Sequence, residues 1–529
     1  MAPKNLTLKI GHPDNGGFAG VNFSASNNKM KANQSPQCSN YLVNKKGLIT
    51  RKGSLSQNVV EVEAGTNKGF LGMTQFYNGT SYNTLAKCGT TLYNVSTTEA
   101  HTALATGLSD KEIFFDKWLG NYFFIDNNTL YKGDQDDMTA VAVTLYDEGG
   151  KDEDDEEHSG QLYGEKPYGT IPILHNGRLW WIGGHSTPFF SEIDYWDRYL
   201  TMDDKSYLAC SVSCDEGDGQ DTVAGLSYNG KLIVWKRQKM FFIVGDYDEQ
   251  SGSLPEVIMY TSTGVYNQKG VIRCGDGFIR GYGPDGVFEY SDATGLKFIS
   301  ADVKDELNKI DFTNRDLVCC GWVDGLFLLF YPINSDTNNR CLAYDPTTKD
   351  WFPIDDWYVS CLATFEDDWL YAGWATSGYV KKLFEGYNDD GATIPTYYET
   401  KFIVLPAEYY MDKLIAGISN GDGEVKITWI CDTSNSAGIA KGAREVDGVR
   451  LADEDRPDLG GFMLSDEDNL GDDYLIDEAI LDANFSEYRA RMRPGLRFKK
   501  IKFIFESDSA DEHQIDYLEA YLVLARTVV

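Results

Sequence analysis

The groups in this 529-residue chain that could do chemistry are six histidines, ten cysteines and 81 acidic side chains. His175 and His185 flank a tryptophan-rich segment ten residues apart, which is not the spacing of metal ligands on one local element. Structural turn roles are the expectation for both. Cys210 and Cys214 form a Cys-x-x-x-Cys, and Cys319 and Cys320 are adjacent; neither spacing is that of a zinc ribbon or a disulfide scaffold, so buried, reduced thiols are expected. His-Glu-x-x-His and phosphate-loop patterns are missing. The oxygen-rich loops 215–221 (DEGDGQD) and 388–391 (NDDG) invite a calcium reading, but neither has the twelve-residue pattern with its closing glutamate. Ordinary polar turns are expected there. No catalytic residue, cofactor or metal ligand is assigned, and a divalent cation in the acidic loops stays open.

Charge separates the chain into unlike parts. The net charge is −33, and duplex-DNA binding by cationic neutralisation of phosphates is excluded as the main activity of the body. Residues 1–60 carry Lys4, Lys9, Lys29, Lys31, Lys45, Lys46, Arg51 and Lys52 against Asp14 alone, a balance of +7 that leaves −40 on the remainder. Those eight cations are read as an assembly arm. Acids crowd residues 147–157 and 445–482, and both runs read as solvated, self-repelling loops. After the second run, Arg489, Arg491, Arg493 and Arg497 form a basic ribbon whose alternation suits one face of a strand, able to meet an acidic loop of its own or of a neighbouring chain. No apolar run is long enough to span a membrane and the first residues lack an apolar leader, so a soluble chain is expected.

The elements that hold these residues are strands. Helical patterning is confined to 301–307 and, more weakly, 194–199, whereas β-branched and aromatic runs bounded by Gly, Asn and Asp recur throughout. One design repeats seven times: a strand, a tight Asn-Gly or Asp-Gly type turn, then a strongly apolar strand. The turns begin at 78, 120, 176, 229, 276, 324 and 367, so the period runs from 42 to 56 residues. That period, with about four short strands per unit, is the signature of a β-propeller. Trp180, Trp181, Trp196, Trp235, Trp322, Trp351, Trp357, Trp369 and Trp374 recur at blade positions, where packing between blades is expected rather than a sugar platform. The fold class is all-β: a propeller of about seven blades over 55–395, preceded by a basic arm and lead-in strand at 1–54. A C-terminal β-sandwich-like domain follows at 396–529, with the acidic insertion 445–482.

Residues 35–53 (SPQCSNYLVNKKGLITRKG) resemble the lead-in motif of β-propeller structural proteins of tailed-bacteriophage virions, with Lys52-Gly53 standing where those proteins have Pro-Gly. His175-Asn176-Gly177-Arg178-Leu179-Trp180, followed by Ser191 and Asp194-Tyr195-Trp196, is similar to their central blade, and 229–245 and 283–289 to the blades that follow. The resemblance spans about residues 30–400. It implies a ring-forming tail nozzle, tail tubular or hub-like component through which DNA passes during ejection. The partners it implies are copies of the chain, neighbouring tail, adaptor or portal-proximal proteins and DNA in transit. The location would be the virion, after synthesis in the bacterial cytoplasm, and no enzymatic activity is expected. Two alternatives stand beside it: a receptor-binding or decoration protein that binds glycans, and a propeller glycoside hydrolase using paired carboxylates. On the arm reading, removal of residues 1–45 leaves a folded propeller.

Overall fold

A two-residue hairpin needs positive φ at both turn residues, and Leu119-Gly120, Asn176-Gly177, Asn229-Gly230 and Asp324-Gly325 all supply it. The computed structural model describes residues 5–147, 167–199, 211–247, 253–419, 425–432, 444–451, 485–491, 497–508 and 512–525, apart from 27, 45–46 and 65–67. Each of the seven repeated turns joins the first two strands of one antiparallel blade. The blades occupy 70–105, 115–142, 171–190, 222–261, 271–298, 319–354 and 359–383, the third with three strands and the others with four. The strand after each turn is the apolar one because it is sandwiched between blades on both faces. Asn121–Asp126, Arg178–Ile182, Ile279–Gly283 and Leu370–Trp374 are buried at every residue.

The hydrophobic core is divided in the same way. Separate clusters fill the gaps between blades one and two, two and three, three and four, four and five, six and seven, and seven and one. Trp180, Trp181, Trp235 and Trp357 are wholly buried in these gaps, as expected for packing. The gap between blades five and six opens into a larger cluster shared with the second unit.

That second unit is one eleven-stranded antiparallel sheet, curled until nearly closed like a barrel. Its centre is the strand Ile403–Ser419, which pairs with Phe498–Ser507, Gln514–Leu524 and Phe485–Arg491. The two ends of its strand order are Gln37–Ser39 and Tyr41–Asn44, separated in sequence by Asn40 alone. Asn40 turns this corner at φ 59°, a left-handed conformation that asparagine adopts more readily than most side chains.

The N-terminal stretch is therefore not an arm on a separate body. Asn5–Ile10 pairs with Gln514–Leu524, Gly47–Thr50 pairs with the same strand, and Phe18, Val21, Cys38, Tyr41 and Leu48 lie in the shared core. The reason is that the barrel needs strands from both ends of the chain to bury its apolar faces. Main chain from this stretch also covers blade six, with Val21 N–H donating to Trp351 O at 2.8 Å and Asn40 N–H to Pro353 O at 2.9 Å. The helical expectation at 301–307 holds as a 3-10 turn, Ala301–Val303, running into Lys304–Leu307. The one at 194–199 does not, since Arg198–Tyr199 is a short strand beside Tyr146–Asp147. Most of the acidic runs, together with Lys4, Lys45, Lys46 and Arg493, lie outside the described residues. No helix among the described residues is long and apolar enough to cross a membrane.

Deleting residues 1–45 removes three edge strands and the core side chains Phe18, Val21, Cys38 and Tyr41, so the truncated chain is expected to lose soluble expression or cooperative melting. A truncated protein with a wild-type melting curve by circular dichroism contradicts this.

Candidate functional site

Closure of the ring converges on Arg51. The outermost strand of blade seven is Ser54–Ser56, which pairs with Val380–Leu383 and so joins the start of the propeller to its end. Arg51 sits just before it, 1% exposed, with all five guanidinium donors engaged. Its Nε donates to Asn40 Oδ1 at 2.8 Å, Nη2 to Asp389 Oδ2 at 2.7 Å and Asp355 O at 3.2 Å, and Nη1 to Lys52 O at 3.0 Å and Asp389 Oδ1 at 3.3 Å. The guanidinium lies 4.5 Å from the centre of the Trp357 ring. Asp389 also accepts from Ser54 Oγ at 2.8 Å and Trp357 Nε1 at 3.1 Å. Burial alone would raise the Asp389 carboxyl, but the Arg51 charge and these hydrogen bonds outweigh it and hold it below its ordinary value. Gly53 is required by contact, because a Cβ there would meet Asn388 O at 1.8 Å.

The loop 388–391 is thus a protein clasp, with Asp390 bound to Ser56 and, at 2.7 Å, to Lys381 Nζ. In loop 215–221, Lys236 Nζ lies 2.8 Å from Asp218 Oδ1 and Lys239 Nζ 2.8 Å from Asp218 Oδ2, so ammonium groups stand where a cation would. Among the described residues no group of three His, Cys, Asp or Glu side chains could hold a metal. The nine described cysteines are all buried free thiols. His175 Nδ1 meets Ser227 Oγ at 2.9 Å, His185 Nε2 meets Tyr168 O, and burial lowers both imidazoles.

The remaining cations of the N-terminal stretch are dispersed. Lys9 pairs with Asp14 and Glu519, Lys52 pairs with Asp324 at 3.1 Å, and Lys29 and Lys31 are exposed. In the ribbon, Arg489 and Arg491 lie opposite Ile415 and Lys413 in strand register, while Arg497 Nε donates to Tyr410 Oη at 2.7 Å.

A second polar centre lies on the propeller axis, and no sequence spacing announces it. The first strands of the blades touch in a closed circle, blade five joining blade four through the turn Gln268–Gly270. From that turn Lys269 reaches the carboxylate of Glu112, which leads into blade two, and Ser360 O of blade seven at 3.2 Å. Blades two and five stand on nearly opposite sides of a seven-blade ring, so this contact crosses the axis. Burial would lower the Lys269 ammonium, but Glu112 outweighs it and leaves it raised. The thiols of Cys319 and Cys361 adjoin this lysine, pushed up by burial to about 12 and about 11.

No family model matches the chain, and no curated protein matches it. Among solved structures, the extracellular domain of a chain described as a one-component system from B. thetaiotaomicron aligns at TM-score 0.41 and 10% identity, over 80% of this chain and 58% of that one. This chain therefore spans less than two thirds of that relative's length. A computationally designed protein, Ika8, aligns at TM-score 0.33 and 11% identity over 62% of this chain and 99% of its own. A chain of the mitotic checkpoint complex aligns at 0.37 and 9% identity over 68% and 98%.

Removing one member of a buried pair costs roughly 3–5 kcal/mol, and Arg51→Met is expected to cost about 3 kcal/mol in urea unfolding. The Asp389 contribution is fully present above its unfolded value, about pH 4, and is lost as pH falls through the lower folded value. Asp389→Asn should therefore destabilise at pH 7, and its gap from wild type should shrink on acidification; a gap constant from pH 7 to pH 2 contradicts the clasp. Glu112→Gln leaves Lys269 buried beside Ser360 O. It should cost about 1–2 kcal/mol, the buried-pair range discounted for the part-exposed carboxylate, and an unchanged melting temperature refutes the axial strut.

Proposed function

We propose that this chain is a structural virion protein of a tailed bacteriophage, a ring-forming component of the tail conduit through which DNA passes. The observation that carries this reading is that the residues bearing the resemblance are bonded to one another as building parts. Asn40, Arg51 and Gly53 of the lead-in motif form the clasp that closes the ring. In the central-blade motif, Arg178 Nη1 donates to Ser191 O at 3.0 Å, Leu179 N–H to Ser191 Oγ at 2.9 Å and Asp194 N–H to Gly177 O at 2.8 Å. These are the contacts of a scaffold.

On this reading the conduit runs between copies, because the Lys269–Glu112 strut occupies the axis of each propeller. A net charge of −33 suits a wall past which a polyanion slides, since cationic contacts are what give non-specific affinity for DNA. The N-terminal stretch takes part as barrel strands, and neighbouring tail or adaptor proteins are met by the folded body.

Electron microscopy of purified particles and of the recombinant chain tests the proposal. A ring of defined symmetry in the tail is expected, with duplex DNA retained more weakly than about 0.1 mM at physiological salt. A monomer that degrades polysaccharide, or binds glycans without entering particles, rejects it.

A further inference from the structure

In a chain of net charge −33, copies approach most easily where the surface is uncharged and apolar. Among the described residues two apolar places stand out on the propeller rim. One lies between blades seven and one. Leu55, Val59 and Val60 are exposed there, Val59 at 75%, and they are held to blade one by Val59 N–H donating to Thr97 O at 3.3 Å and by His101 Nε2 against Val60 O at 2.9 Å. Residues 53–60 contain no charged side chain.

The other lies between blades four and five. Ile258 and Tyr260 on Glu256–Thr261 are exposed on the side of that gap, Phe298 on the outermost strand of blade five is exposed as well, and Met259, at 54%, projects from the other face of the same edge strand. Tyr260 bridges the gap, its ring 4.6 Å from Phe242 of blade four and 5.4 Å from Tyr290 of blade five. Residues 257–268 also carry no charge.

Glu256–Thr261 is an outermost strand, and among the described residues no strand pairs with its outer side. An open edge of this kind is a template for another chain. By contrast, main chain covers the outer strand of blade six, and the outer strands of blades two and three are two residues long.

The two patches are separated by four blades one way round the ring and three the other, the most opposed arrangement seven blades allow. A foreign partner needs one patch. Two patches of like chemistry on opposite rims are what head-to-tail association of identical copies needs, and such heterologous contacts build rings or filaments. We infer that the rim at Leu55, Val59 and Val60 of one copy docks against the rim at Ile258, Met259, Tyr260 and Phe298 of the next. The inference rests on the reading that copies assemble, and it assigns the surfaces.

Sedimentation velocity of the full chain over a concentration series tests it, using Val59→Asp and Met259→Asp, with Phe312→Asp as an exposed control outside both patches. Wild type and control are expected to form species larger than dimers, while each patch variant associates at least tenfold more weakly. An equimolar mixture of the two patch variants should stop at dimers, since each retains the patch the other lacks. Val60→Asp and Phe298→Asp replace either variant whose circular dichroism melt shows misfolding. Patch variants that assemble as wild type does, or a loss from only one patch, overturn the head-to-tail surfaces while leaving assembly itself standing. A wild-type chain that stays monomeric at every concentration overturns assembly and, with it, this inference.

Discussion

The ring of blades is closed by a strand that precedes its first blade and completes its last, and that closure is held by one buried cation. Arg51 binds the barrel corner at Asn40, the main chain beside blade six at Asp355 and the clasp carboxylate Asp389, while Trp357 covers its face. Its five donors are all matched, which is the condition under which a buried guanidinium is tolerable. The closing strand Ser54–Ser56 begins three residues later, so its register is set by the same contacts. Six of the seven gaps between blades hold their own clusters and the seventh shares its core with the barrel, and the ring they form is the cooperative unit.

Much of the propeller is legible in the sequence because its signals are local. Positive-φ turn residues and the apolar strands behind them recur every 42 to 56 residues, and all seven fall at the first hairpin of a blade. The barrel is less legible, because its strands come from positions hundreds of residues apart. Asn5–Ile10 gives no sign in its own residues that its partner is Gln514–Leu524. Charge counting alone marks 1–54 as an arm, yet its most important cation is consumed inside the fold. The Lys269–Glu112 contact spans 157 residues and has no periodic signature at all. The lead-in motif shows Arg51 in sequence, but its burial depends on the loop 388–391 returning to meet it.

The two polar centres have opposite consequences for the surroundings. The clasp removes the candidate cation loop at 388–391 from solvent chemistry by filling it with protein donors. The axial strut removes the propeller's middle, the usual place for a ligand in a ring-shaped fold, by crossing it with a side chain. What is left for recognition is the rim and the barrel.

The joining of both chain ends in one sheet also sets the order of events in biogenesis. On a ribosome, Asn5–Ile10 and Ser54–Ser56 emerge early but have no partners until Gln514–Leu524 and Val380–Leu383 have been made. Contacts of such long sequence separation form slowly, because loop closure precedes any gain from packing. The early strands therefore wait with unpaired edges, a state open to aggregation. A nascent chain short of Gln514–Leu524 has neither a finished barrel nor a covered lead-in.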